Sequence, residues 1–275
     1  MTMNHAELYK FAEYYDIAFD FRDVPAECDF LASLVQKHLG RAPRSFLELG
    51  AGPAQHALEF ARRGLTCSAL DLAQEMVDYT AGKAREQKIS LNAIRADMEE
   101  FTLEGSYDLA ALLMNSAVYL LDNTAVLRHF DAVARHLNDG GLYILEMSHP
   151  RDIFGIDRST QNEWTMTRGE TRVWMEWGRH DDAFDPITQL TDVTVSMRFE
   201  GPGGSGGIKV VSPERCFTAN ELKALVAASG RFRIVDEYGA MNQAVPFNND
   251  EAAWRMVAVL QKMKTGIPFA EDQCR

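Results

Sequence analysis

The sequence predicts an α/β fold: a doubly wound, seven-stranded, mostly parallel sheet with an inserted antiparallel β meander. Three observations carry that expectation. Apolar runs without polar alternation, as in strands buried on both faces, recur between helix-spaced segments along most of the chain. The first of these runs, Ser45–Leu49, ends in two glycines and passes directly into a helix. Residues 151–212 instead alternate apolar and polar positions with a period of two.

Composition narrows the class of function. At 275 residues, 46% of them hydrophobic, the chain can bury one large domain with an insertion. Its net charge is −12, from 28 basic against 40 acidic residues. That disfavours nucleic acid, which needs a basic face to neutralise phosphates. Cys28, Cys67, Cys216 and Cys274 form no Cys-x-x-Cys pair and read as reduced thiols. The histidines are not spaced with carboxylates as metal ligands, so no metal is expected. No basic-then-apolar leader opens the chain, and no apolar run reaches about 18 residues, so a membrane is not an expected partner. The expected location is cytoplasmic.

Residues 5–22 hold Tyr9, Phe11, Tyr14, Tyr15, Phe19 and Phe21, and read as an amphipathic helix docked on the core or as a lid. Pro25 opens a helix that buries Leu31, Leu34 and Val35 and stops at Gly40. After the first strand, Gly50 and Gly52 permit a closer backbone approach to a ligand than any Cβ would. Ala54, Ala57, Leu58 and Ala61 then share a helical face that ends at Gly64. Thr66–Leu70 is a second strand. Asp71 follows it, 21 residues beyond Gly50 (71 − 50), close to the ~20-residue offset at which an acid meets a ribose hydroxyl. Capping of the next helix, whose buried face is Met76, Val77, Thr80 and Ala84, is the structural alternative for Asp71. Leu91–Arg95, Tyr107–Met114 and Leu142–Met147 read as the third to fifth strands, the last one after a helix and the turn Asn138–Gly141. Past residue 212, a capping box at Thr218–Glu221 opens a helix that closes at Gly230. Phe232–Tyr238 and Trp254–Leu260 complete the sheet, and the tail after Lys264 reads as frayed.

The run Glu48-Leu-Gly50-Ala-Gly52-Pro-Ala54, with Asp71, Asp97 and Gly140-Gly141 at their stations, resembles class I S-adenosylmethionine-dependent methyltransferases over residues 45–150. The closing helix and strand hairpin, with an antiparallel last strand, are similar as well. The resemblance implies a Rossmann-like sheet and S-adenosyl-L-methionine as cofactor. Glu48, Gly50 and Gly52 would line its methionine end, Asp71 would hold its ribose, and Ala51 and Leu72 would also contact it. Asp97 would accept from the adenine amine and Met98 would pack on the ring. Tyr14-Tyr15-Asp16 and Arg22 are similar to a segment of small-molecule members. That implies cofactor contacts for Tyr14 and Arg22, and a catalytic place for Tyr15 over the acceptor. Met114 and Asn115 would lie beside the transferable methyl, with Tyr119 toward the substrate.

The expected division is a methyltransferase core, residues 1–150 and 213–265, and an inserted substrate cap, residues 151–212. In the cap, the stretches around Val173–Trp177, Thr191–Phe199 and Ile208–Val211 read as three antiparallel strands. Turn-rich linkers are expected near residues 180–186 and 201–207. Trp164, Arg172 and Trp174 are candidate substrate contacts. His149 follows the fifth strand and is a candidate general base, with a structural histidine bonded to a loop carbonyl as its alternative. The expected activity is methyl transfer to an N or O atom of a small molecule, by a protein of open oligomeric state, a homodimer included. A protein that holds the cofactor without turnover is one alternative. An NAD-dependent oxidoreductase is another; Gln55 in place of its third glycine and the expected absence of a Tyr-x-x-x-Lys pair count against it.

Overall fold

The structure, a computed structural model, describes residues 5–154 and 162–264. The frayed tail after Lys264 and Cys274 lie outside the described residues. The chain begins with α1 (His5–Leu8), a tight turn Tyr9–Phe11, α2 (Ala12–Ala18) and α3 (Val24–Leu39). There follow β1 (Ser45–Leu49), α4 (Gln55–Arg62), β2 (Thr66–Asp71), α5 (Gln74–Glu86), β3 (Asn92–Arg95) and β4 (Tyr107–Leu112). A second tight turn, Ser116–Tyr119, leads to α6 (Asn123–Arg135), β5 (Leu137–Ser148) and α7 (Pro150–Phe154). The insertion holds β6 (Asn162–Arg168), β7 (Thr171–Trp177), β8 (Phe184–Asp185), β9 (Leu190–Gly201) and β10 (Gly204–Arg215). Last come α8 (Ala219–Ser229), β11 (Phe232–Tyr238) and β12 (Arg255–Lys262).

The main sheet has the order β11-β12-β5-β4-β1-β2-β3. Its strands β1 to β5 are parallel, and β12 runs antiparallel to both β5 and β11. Helices cover both faces, which is why these strands read as continuous apolar runs. On one face Leu31, Leu34 and Val35 of α3 and Ala57 and Phe60 of α4 pack on Phe46, Leu109, Ile144 and Val257. On the other, Val126, Phe130 and Val133 of α6 and Leu222, Leu225 and Val226 of α8 pack on Leu47, Ala110, Tyr143 and Leu260. Boundaries follow local chemistry: Asp23 caps α3 through Ala26 N, Gly40 ends it left-handed, and Thr218 and Glu221 form the capping box of α8.

Four expectations change. The inserted sheet has the order β10-β9-β7-β6, with β8 paired to β9, so it has five strands rather than three. The added strands have little to show in sequence: β6 turns only Trp164 and Met166 inward, and β8 has two residues. The run 201–207 is not a linker but the inner ends of β9 and β10. A Cβ at Gly206 would stand 2.7 Å from the Phe199 ring, and one at Gly207 2.8 Å from the Met197 carbonyl, so close approach explains those two glycines. Residues 138–141 likewise belong to β5, where a Cβ at Gly141 would meet the Asn138 carbonyl at 2.9 Å. Finally, the N-terminal helices dock on the inserted sheet. Leu8, Ile17 and Ala18 share a satellite core with Val173, Met175, Val193, Val195, Met197 and Val210.

One buried carboxylate joins that unit to the main sheet. Asp16 of α2, fully buried, accepts from Gln55 Nε2 (2.7 Å), Tyr79 Oη (2.8 Å), Lys83 Nζ (2.9 Å) and Arg168 Nη1 (2.8 Å). Burial opposes its charge, but Lys83, Gln55 and Arg168 hold the carboxyl below its usual range. Asp16→Ala strands two cations beside a buried gap and should lower stability in equilibrium urea denaturation by roughly 3 kcal/mol. Arg168→Gln should cost less than about 1 kcal/mol, because the Arg168 side chain is 38% exposed.

Candidate functional site

The loop after β1 is held open by its backbone. Gly50, Gly52 and Ala54 all take left-handed conformations, with φ of 52°, 50° and 52°. Ala51 N donates to the Leu70 carbonyl (2.9 Å) and Gly52 N to Asp71 Oδ2 (2.7 Å), so the end of β2 pins the loop. Asp71 Oδ1 accepts from Ala73 N (2.8 Å), but α5 begins at Ala73 without a side-chain cap. Burial lifts the Asp71 carboxyl above its usual range, while the Ala73 and Gly52 N–H groups pull it back.

Above the loop opens a cleft of about 510 Å³, counting the space open to solvent. Tyr15, Phe19 and Arg22 wall it from the N-terminal segment, residues 48–53 with Gln55 and His56 from the loop, and Leu113, Met114 and Ser116 from the end of β4. A Cβ at Gly52 would project toward the Tyr15 ring, 3.9 Å away, and one at Gly50 would meet Leu112 and Ser116 at 3.3–3.4 Å. The missing side chains leave a cradle of backbone groups beside an acid. That cradle fits a nucleoside with a charged tail.

Beneath the cleft runs a buried chain of charges. Glu48 accepts from Ala57 N (2.7 Å) and lies 3.2 Å from His56 Nδ1; His56 Nε2 lies 2.7 Å from Glu27. Arg22 bridges Glu27 (2.8 Å) and Glu146 (3.1 Å) and touches the Met114 sulfur, and Arg255 approaches Glu146 at 3.4 Å. Although burial works against it, Glu27 and Glu48 raise His56 to about 9, so it is a cation at neutral pH. Burial also opposes ionisation of Glu146 and Glu27, yet Arg22 with Arg255 holds Glu146, and His56 with Arg22 holds Glu27, below the usual carboxylate range.

Of the residues singled out in the sequence, Tyr15, Arg22, Glu48, Gly50, Ala51, Gly52 and Met114 meet at the cleft. Asp71 pins it, and Leu72, 63% exposed, stands beside that acid. Asp97 is exposed and accepts from Glu99 N (2.9 Å), while Met98 is half-buried with its carbonyl bonded to His129 (2.7 Å). Asn115 takes φ of 64° and its Oδ1 holds Ser148 N (2.9 Å). Others sit elsewhere. The Tyr14 ring stacks on Phe199 at 3.8 Å, away from the cleft wall. Tyr119 bonds the Tyr9 hydroxyl (2.7 Å), and Trp164 Nε1 bonds the Ala18 carbonyl (2.6 Å). Arg172 and Trp174 fall on the outer face of β7, because Val173 and Met175 take the inner one. There the Arg172 and Arg198 guanidiniums stand over the Trp174 ring, 4.8 and 5.6 Å from its centre.

His149 is buried, with Nε2 2.9 Å from the Asn248 carbonyl and Nδ1 accepting from Arg151 N (3.2 Å). Both ring nitrogens are engaged, so the structural alternative describes it. The expected absence of a Tyr-x-x-x-Lys pair is corrected: Tyr79 and Lys83 have that spacing, but both donate to Asp16 and neither lines the cleft. Sequence reasoning passed over Phe19, Glu27, His56 and Glu146. Glu146 had a signal: an acid inside an apolar strand must find a partner. Among the described residues no cluster of metal-ligating side chains occurs, and no helix is long and apolar enough to cross a membrane.

Two measurements check this geometry. His56 is raised above its unfolded value of about 6.5, so its contribution is whole below that pH and is lost as pH rises through about 9. Urea denaturation should therefore lose on the order of 3 kcal/mol between pH 6.5 and 9, and His56→Gln should flatten that decline. His149→Ala should lower the melting temperature without changing the affinity for S-adenosylhomocysteine measured by calorimetry.

Residues 46–141 match the family model described as a methyltransferase domain. A Geobacillus sp. protein named as a methyltransferase is 23% identical over 137 residues, which are 50% of this chain and 56% of that protein. The chain thus spans about half the length of the curated relatives it matches. Among solved structures, an S-adenosylmethionine-dependent methyltransferase from Clostridium acetobutylicum matches with a TM-score of 0.75 at 18% identity, covering 93% of this chain and 98% of that one. A sugar N-methyltransferase from Streptoalloteichus sp. matches at 0.69 and 18%, covering 91% and 93%. An amino pentose methyltransferase from Micromonospora echinaspora matches at 0.65 and 19%, covering 90% and 96%. At such identities the solved structures establish the fold. The strand order and the glycine loop agree with both findings: residues 46–141 are similar to a methyltransferase domain, and the fold is that of solved S-adenosylmethionine-dependent methyltransferases.

Proposed function

We propose that the protein transfers a methyl group from S-adenosylmethionine to an N or O atom of a small molecule. The observation that carries this reading is the Gly52 N–Asp71 bond of 2.7 Å, which sets a buried acid beside a loop of side-chain-free backbone at the cleft. When bound, the cofactor supplies a methyl group on a positively charged sulfur, already activated toward a nucleophile. The chain's own work is then to orient and to exclude water, and orientation alone can contribute on the order of 7–11 kcal/mol.

In this reading Asp71 keeps lone pairs for the ribose hydroxyls, Leu72 and Met98 flank the adenine, and Asp97 accepts from its amine. The Gly50–Gly52 backbone faces the methionine end, with Arg22 at the cleft wall. Tyr15 and Phe19 shield the reacting atoms. Burial, together with the charges of Asp71 and Glu214, raises the Tyr15 hydroxyl above its usual range, so it stays protonated and can donate. The described residues of 151–212, with the helices of residues 5–19, cap a core made of the rest of the described residues of 1–150 and 213–265. That enclosure, the net charge of −12 and the sugar N-methyltransferase fold neighbours support a small acceptor over a polymer.

Gly52→Val should abolish S-adenosylhomocysteine binding in calorimetry, because a side chain there enters the cleft at a φ of 50°. Asp71→Asn should weaken it by roughly 10- to 100-fold, the loss of a charge-assisted hydrogen bond. Unchanged affinity in both variants would remove the cofactor from this cleft.

A further inference from the structure

We propose that the methyl acceptor is an amine, selected by a cluster of aromatic rings that the Glu214 carboxyl closes from the cap side. The proposal rests on the reading above and names its substrate class. The cluster starts at the cleft, where Tyr15 and Phe19 form the wall. The Tyr15 ring meets Phe19 at 4.7 Å and Tyr9 edge-on at 5.4 Å. Phe19 in turn meets Trp164 at 5.4 Å and Trp177 at 6.3 Å. The Tyr9 and Tyr119 hydroxyls bond each other at 2.7 Å, tying the N-terminal segment to the turn after β4. Glu214, 5% exposed, lies near the end of β10 and is joined to the cluster through Trp177. Trp177 donates a hydrogen bond to it, and its charge is felt by Tyr9, Tyr15 and Tyr119 together. Its strand packs on α1 and on the turn that carries Tyr119.

Ring faces around a carboxyl attract a cation and repel an anion. The cations that line the cleft, Arg22 and His56, are already matched by Glu27, Glu48 and Glu146. The acceptor side therefore offers π faces and, once Glu214 is ionised, negative charge, which suit an ammonium or methylammonium and oppose a phenolate or enolate. Burial raises Glu214 to about 8, the Trp177 bond pulling it down and the Asp182 charge pushing it up. The other groups facing it, Tyr9, Tyr15 and Tyr119, stay neutral hydroxyls, and Arg215 next to it on β10 is paired with Asn123 and Glu221. A cation that binds below pH 8 thus displaces a proton from Glu214 into solvent.

The probe is tetramethylammonium chloride, whose charge does not titrate, with tert-butanol as the neutral control of similar size. Calorimetry on the full chain with S-adenosylhomocysteine present should show tetramethylammonium binding that strengthens up to about tenfold per pH unit and levels off near pH 8. Titrations in two buffers of different ionisation enthalpy should show proton release at pH 7, and tert-butanol should bind at least tenfold more weakly. Glu214→Gln should weaken the cation at least tenfold at pH 8.5 and remove the pH dependence, with S-adenosylhomocysteine affinity unchanged. If that variant does not fold, proton release by the wild-type chain decides in its place. Binding of S-adenosylhomocysteine without tetramethylammonium, or cation binding that is independent of pH, overturns the amine proposal and leaves the methyltransferase reading standing. Failure of S-adenosylhomocysteine itself to bind overturns both.

Discussion

Everything at the cleft depends on one buried chain of charges, Glu48–His56–Glu27–Arg22–Glu146–Arg255. Two of its acids sit inside buried stretches of strand, Glu48 between Leu47 and Leu49 in β1 and Glu146 between Leu145 and Met147 in β5. A buried carboxylate without a partner costs several kcal/mol, so each of these acids dictates what must lie next to it. Glu48 takes the Ala57 N–H and thereby fixes the first turn of α4. Glu146 takes the Met114 N–H, exactly where it is needed structurally: Met114 and Asn115 leave β4 with φ of 57° and 64°. Left-handed backbone at two non-glycine residues costs roughly 1–2 kcal/mol each, and the bond to Glu146 is what holds it. The loops on both sides of the cleft are thus anchored to the same ionic chain.

The opposite wall has a different origin. Residues 5–19 and the inserted strands lie far apart in the chain, yet they share one satellite core and so behave as a single body. Asp16 ties that body to Gln55, just past the glycine loop, and to Tyr79 and Lys83 of α5. The cleft lies between this body and the main sheet, lined by Tyr15 and Phe19 on one side and by the loop on the other. Its width is therefore a property of the Asp16 contacts as much as of the loop.

The main sheet was legible because burial on both faces leaves an unmistakable pattern, and glycines with an acid at the expected offset leave another. The place of Asp71 beside the glycine loop was legible for that reason. The cap was less so. Period two gives the spacing of a strand but not which face turns inward, and Trp174, large and aromatic, went to the outer face because Val173 and Met175 fill the inner one. His149 stood at the correct end of the correct strand; what sequence could not supply was the Asn248 carbonyl, 99 residues away, that occupies it. The pairing of Arg22 with Glu27 and Glu146 was hidden in the same way, since 124 residues separate Arg22 from Glu146.

Charge balance explains why the two walls suit different parts of the reaction. In the ionic chain Glu27, Glu48 and Glu146 face Arg22, His56 and Arg255, three acids against three cations, so it projects little net field into the cleft. The carboxyls left to set the local potential are Asp71 and Glu214, and both are lifted by burial. They flank the aromatic residues from the loop side and from the cap side, since Tyr9 and Tyr15 feel both charges. With those acids ionised, a space between them and the ring faces is favourable to positive charge. It therefore suits a sulfonium and an ammonium alike, and the acid on the cap side is the one whose protonation can decide between a cationic and a neutral acceptor.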